Sequence, residues 1–171
     1  NTGERVLGYT SPLYMFILCV LKRLFISVDT VTLIRILNTL LLIPFIGGAA
    51  ALFGRKQVAE YAIPVVLVLY FSYVDASLNG METTLMLACI MGTLYALYRQ
   101  RHDLSLICAS AAALVRPEGF LLLFTVLACW PFLAKKRIPY LGLAVSVLML
   151  LAWIIPTYSY FGTVIPQSMV A

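Results

Sequence analysis

The sequence predicts an all-α, polytopic membrane bundle of about six spans, preceded by one interfacial helix. Three observations carry this reading. Of 171 residues, 63% are hydrophobic and only 11% are charged, which is more apolar surface than one soluble core of this size can hide. The apolar runs last roughly 15 to 23 residues, against the ~20 that a helix needs to cross a hydrocarbon core ~30 Å thick. Backbone amides in lipid must bond within their own segment, and the period-2 alternation of a barrel strand is missing, so the runs are expected to be helices.

Thr10 or Ser11 ahead of Pro12 is a helix-start signal, an N-cap hydroxyl before a proline at the first helical position. The helix predicted over 11–26 contains Lys22 and Arg23 and, at about 24 Å, falls short of the core thickness. It is therefore expected along the interface. Spans follow over 31–53, 61–74 and 82–98. Asn79 as N-cap places Glu82 at the third helical position, a capping-box arrangement. Helices over 104–115 and 119–133 flank the turn Arg116-Pro117-Glu118-Gly119, a last span covers 138–155, and 156–171 is expected as a loop.

The leg 104–115 is only about 18 Å long, so the Arg116 turn is expected below the membrane surface, at the floor of a cavity open to that side. The competing arrangement is one Pro-kinked helix over 104–133. It would put Lys135 to Arg137 on the side opposite Arg99.

Parity orients the chain. If 11–26 does not span, the basic loops Arg55-Lys56, Arg99 to Arg101 and Lys135 to Arg137 all fall on one side, the cytoplasmic side by the positive-inside rule. Glu4, Asp29, Asp75, Glu82 and Glu118 fall on the other. Four polar stretches, Gly3 to Thr10, Leu78 to Leu85, Arg116 to Gly119 and Tyr158 to Ser168, then share the outer face of a plasma (inner) membrane. The net charge of +5 is dispersed between spans, so topology accounts for it and no nucleic-acid partner is expected. Cys19, Cys89, Cys108 and Cys129 lie inside apolar runs with no CxxC and no neighbouring His, as packing residues do. His102, beside Asp103 in a basic loop, reads as solvated. No metal-ligand spacing occurs, so no cofactor is expected and a divalent cation has no support.

A charge at the bilayer centre costs about 2.5 to 3.5 kcal/mol, so Arg116 and Glu118 need a partner or a function. Glu118 in the first turn of a helix favours its dipole and is able to pair with Arg116; equally, the guanidinium suits bidentate bonds to a phosphate. Glu82 faces the same choice between capping and binding. Tyr158, Tyr160, Phe161, Gly162 and Pro166 fit an aromatic interface belt or a shaped loop for a sugar.

Taken together, Asn1-x-Gly3-Glu4-Arg5-Val6-x-Gly8-Tyr9-Thr10-Ser11-Pro12-Leu13, Gly80-Met81-Glu82-Thr83, Arg116-Pro117-Glu118-Gly119 and Tyr160-Phe161-Gly162-x-x-x-Pro166 resemble the GT-C superfamily of membrane glycosyltransferases. The bacterial members similar to it are the cell-wall arabinofuranosyltransferases and the lipid-linked mannosyltransferases. The resemblance covers nearly the whole chain. It implies a polyprenyl-phosphate sugar donor, transfer with inversion to a hydroxyl of a glycan or protein acceptor at the outer face, and a general-base aspartate in the first outer loop. That loop is expected just before Asn1, with 1–10 its remainder, so the chain is read as an internal piece of a longer protein and as inactive alone. By the same resemblance Glu4, Arg5, Tyr9, Glu82, Arg116, Glu118, Tyr160 and Gln167 bind substrate, with Arg116 on the donor phosphate. Leu7, Tyr14 and Gln167-Ser168 depart from the usual acidic residue, Trp and Asn-Thr, which bears on the identity of sugar and acceptor.

The alternative is a transporter or flippase with its charges at midplane. Such folds break helices at corresponding places in two halves, and Pro44, Gly47-Gly48 and Pro64 do not pair with later breaks. A non-catalytic membrane scaffold is the third reading.

Overall fold

The computed structural model describes residues 11–53, 82–133 and 139–162. Among the described residues the chain is helical and has no strand: α1 Pro12–Leu24, α2 Thr30–Phe53, α3 Thr83–Tyr98, α4 His102–Val115, α5 Gly119–Leu133 and α6 Tyr140–Phe161. The all-α expectation holds, and five of the predicted helices appear within a few residues of their expected bounds. The span expected over 61–74 lies outside the described residues.

Local chemistry sets the helix starts. Pro12 takes the first position of α1, where its missing N–H costs nothing, although the Ser11 hydroxyl makes no cap bond. Past the other end of α1, Lys22 curls back and donates to the carbonyls of Ile26 at 3.1 Å and Val28 at 2.7 Å. Asp29 caps α2, its carboxylate accepting the Val31 N–H at 3.0 Å and its carbonyl accepting that of Leu33.

Three expectations need correction. Glu82 is not the third residue of α3 but its N-cap: its carbonyl accepts the Met86 N–H at 3.1 Å, and its side chain makes no cap bond. The carboxylate is thus released from the backbone and reaches Arg116 instead. Next, α6 does not stop near Ile155 but runs through Pro156 to Phe161 and ends at Gly162, whose left-handed φ of 72° closes it. Beyond the proline, the Ser159 hydroxyl donates to the carbonyls of Ile155 and Pro156, bonds that hold within the helix. Tyr158, Tyr160 and Phe161 are therefore helical, not part of a loop. Finally, His102 is not a solvated loop residue: it opens α4 and packs edge-on against Trp130, with ring centroids 4.8 Å apart.

That ring contact decides between hairpin and kinked helix. His102 begins α4 and Trp130 lies in the last turn of α5, so the two helices fold back on each other around Arg116. Gly119 makes the reversal tight, because a Cβ there would overlap the Ala112 carbonyl.

Helix α4 is the centre of the bundle, with Leu106, Ala109, Ala112 and Val115 fully buried. It contacts α1, α3, α5 and α6, while α2 packs on α3. The interior is small and hydroxyl-rich, with Thr84, Thr93, Ser105, Ser110, Ser146 and Thr157 buried. Large apolar side chains such as Phe16, Ile43, Leu121, Phe124 and Leu148 face outward. Among the described residues, two helices are long and apolar enough to cross a membrane, over Thr30–Ala49 and Tyr140–Phe161, and only 17% of either window is buried in the bundle. In length, then, two of the expected spans suffice; α3, α4 and α5 are shorter.

Contacts fix how the helix ends line up. The Gly142 N–H donates to the Asp103 carboxylate at 2.7 Å, so α4 and α6 start level and run parallel. Gly48 abuts Met91 and Leu37 lies with Leu85, so α2 and α3 are also parallel. Tyr98, His102, Trp130, Tyr140 and the end of α2 consequently share one end of the bundle, the basic end. At the opposite end the long helices overshoot the short ones: with Gly142 level with Asp103, α6 carries Phe161 about 9 Å beyond Arg116 at 1.5 Å per residue. By the contacts of Gly48 with Met91 and of Leu37 with the Leu85 cluster, α2 begins about 6 to 14 Å beyond Glu82. Among the described residues, the starts of α3 and α5 therefore lie short of the start of α2 and the end of α6.

Candidate functional site

This end of the bundle gathers residues from four elements. Arg116 leaves α4 in extended conformation, φ −149° and ψ 149°, as a residue before proline does. Its guanidinium lies between two carboxylates, with Nε 3.9 Å from Glu82 at the start of α3 and a terminal nitrogen 3.3 Å from Glu118 in the turn. Neither contact has the ~2.8 Å length of a strong charge-assisted bond, and neither is bidentate. Side-chain exposure is 27% for Glu82, 36% for Arg116 and 64% for Glu118, so the group faces solvent with Glu118 outermost. Pairs this exposed contribute at most about 1 kcal/mol each. The guanidinium is positioned without being saturated.

Beneath it lies Tyr14 of α1, 4% exposed and packed with Leu85 and Val115. It hydrogen-bonds Asn38 of α2. Burial pushes the phenol pKa up; the bond to Asn38 pulls it partly back, and the Glu82 charge adds to the rise. The phenol stays protonated at neutral pH, and in its bond with Asn38 the amide N–H is the donor. Tyr14 and Asn38 were not among the candidates read from the sequence, although a lone amide inside the apolar run of α2 was a usable signal.

An apolar cleft of about 600 Å³ opens beside this group, lined by Leu13, Phe16 and Cys19 of α1, Leu114 of α4, and Met149 and Trp153 of α6. Leu114 lies two residues before Arg116 in the chain, so the cleft reaches the same end of α4 as the charged group.

The structure thus brings together Glu82, Arg116 and Glu118, and sets Tyr160 at the same end on the last turn of α6, its ring edge-on to Phe161. Glu4, Arg5, Tyr9 and Gln167 lie outside the described residues. Among the described residues no three His, Cys, Asp or Glu side chains group as metal ligands would. Comparison with protein-family models, curated proteins and solved structures gave no match.

Proposed function

We propose that the chain is a multi-span membrane protein forming the donor side of a lipid-linked sugar transferase of GT-C type, with the acidic end of the bundle at the outer face and the basic end cytoplasmic. The observation that carries it is the convergence of the Glu82 and Arg116-Glu118 motifs, distant in sequence, at the end of α4 that an apolar cleft also reaches. A lipid phosphate needs both halves: a cation held in place for the phosphate, and an apolar trough for the chain it carries.

In this reading Arg116 takes two phosphate oxygens, displacing the exposed Glu118 and keeping Glu82 as the carboxylate that orients the guanidinium. The acceptor hydroxyl attacks the anomeric carbon from the face opposite the phosphate. The C–O bond to phosphate breaks, its electron pair stays on the leaving phosphate neutralised by Arg116, and the hydroxyl proton passes to a base outside the described residues. The polyprenyl chain lies along Phe16 and Trp153.

The test is transfer of labelled sugar from a polyprenyl-phosphate donor by membranes containing the full-length protein. Arg116→Ala is expected to abolish transfer at unchanged membrane abundance, and Arg116→Lys to restore little of it, since a point charge cannot make the bidentate contact. An active Arg116→Ala variant would mean that the arginine only ties α3 to the turn.

A further inference from the structure

We propose that the cleft between the first turns of α4 and α6, at the basic end, binds the headgroup of a phosphoethanolamine glycerolipid. This rests on the membrane part of the reading above and not on the transferase part.

The cleft measures about 530 Å³ and is lined by both polar and apolar side chains. Gln100, Arg101, His102 and Asp103 form its polar rim; Leu104, Ile107, Pro139 and Leu141 form its apolar walls. Leu104 and Leu141 are 42% and 66% exposed, so the walls open sideways onto the apolar outer surface of the bundle, where a lipid chain would run. The rim is fixed by the chain reversal after α3. Gln100 adopts a left-handed φ of 56°, and the Gln100 and Arg101 N–H groups donate to the carbonyls of Leu97 and Ala96 at 2.9 and 2.8 Å. Such a conformation in a non-glycine residue is costly and persists only where neighbours hold it.

Charge selects the occupant. Arg101 makes no ion pair among the described residues, with Asp103 or with any other acid. Asp103 commits one carboxylate oxygen to the Gly142 N–H at 2.7 Å, and the other is available to a ligand. One cation and one anion, unpaired with each other, line the same opening. A headgroup carrying phosphate and a primary ammonium satisfies both, the phosphate on Arg101 and the ammonium donating to Asp103. A phosphoglycerol headgroup offers Asp103 only neutral hydroxyl donors, without the charge assistance of an ammonium, and the quaternary ammonium of choline has no N–H to donate.

The experiment is thermal unfolding of the delipidated full-length protein in detergent, titrated with phosphatidylethanolamine, phosphatidylglycerol or phosphatidylcholine. Phosphatidylethanolamine is expected to raise Tm by about 4 °C more than either other lipid. Arg101→Ala and Asp103→Asn should each remove that difference; the asparagine oxygen still accepts from Gly142, so the second variant keeps the helix contact. Arg116→Ala, at the opposite end, should keep it. Equal stabilisation by phosphatidylglycerol, or selectivity surviving in both Arg101→Ala and Asp103→Asn, overturns the proposal. A protein that leaves the membrane in a carbonate wash refutes the membrane reading itself, whereas one that stays but shows no lipid preference refutes only this site.

Discussion

Arg116 carries three constraints at once. The proline after it forbids helical backbone, the hairpin needs a reversal at that point, and the guanidinium must find partners near the apolar interior. Two long, monodentate ion pairs meet the last need weakly, which leaves the group able to exchange partners. Glu118, the more exposed carboxylate, should matter little for folding. Glu118→Gln is expected to change the unfolding temperature by less than about 2 °C, and to leave donor affinity equal or tighter because a competitor for Arg116 is removed. A large destabilisation measured by thermal melting would show that the turn depends on that pair. Tyr14 is the opposite case. Removing its hydroxyl in Tyr14→Phe takes a partner from buried Asn38 and should cost about 1 to 2 kcal/mol, read by denaturation in detergent.

At the scale of elements, close approach is bought with small residues. Gly142 lies so near α4 that a Cβ would come within 2.7 Å of the Asp103 Cα and 2.8 Å of its carbonyl oxygen. Backbone cannot yield as a side-chain tip can. Gly142→Leu should therefore force α4 and α6 apart and cost about 2 to 3 kcal/mol or more, whereas Gly47→Ala, with open space around it, should be neutral or slightly stabilising through helix propensity. Equal effects of the two substitutions on thermal stability would refute the packing described for α4 and α6. Two of the buried hydroxyls point the same way: Thr93 donates to the Cys89 carbonyl and Ser105 to that of His102, so these two satisfy themselves on their own helices and let neighbours come close.

For the whole molecule the decisive feature is the difference in helix length. Helices α2 and α6, with 24 and 22 residues, frame α3, α4 and α5, with 16, 14 and 15, and because all five align at the basic end the shortfall appears entirely at the other. Single cysteines at Gln100 and Gly162, in a background lacking the native cysteines, should then react with an impermeant thiol reagent from opposite sides of the membrane. Labelling from the same side would overturn the proposed orientation.

Much of this was legible in the chain itself. Apolar run lengths determined that the elements are helices, and Pro12 and Pro117 marked helix boundaries, because these signals act on backbone within a turn of themselves. Charge parity anticipated which helix ends would gather, since α3 to α6 alternate direction. The Arg116 turn was singled out because an arginine and a glutamate interrupting apolar sequence are costly wherever they lie. Contact across helices was not legible. Whether Glu82 caps its own helix or reaches Arg116, whether α4 and α5 form a hairpin, how far α6 continues past Pro156, and that Tyr14 meets Asn38 all depend on packing between segments far apart in sequence. Local propensity leaves those choices nearly equal in energy, and only the tertiary register, set by Gly142 against Asp103 and Gly48 against Met91, decides among them.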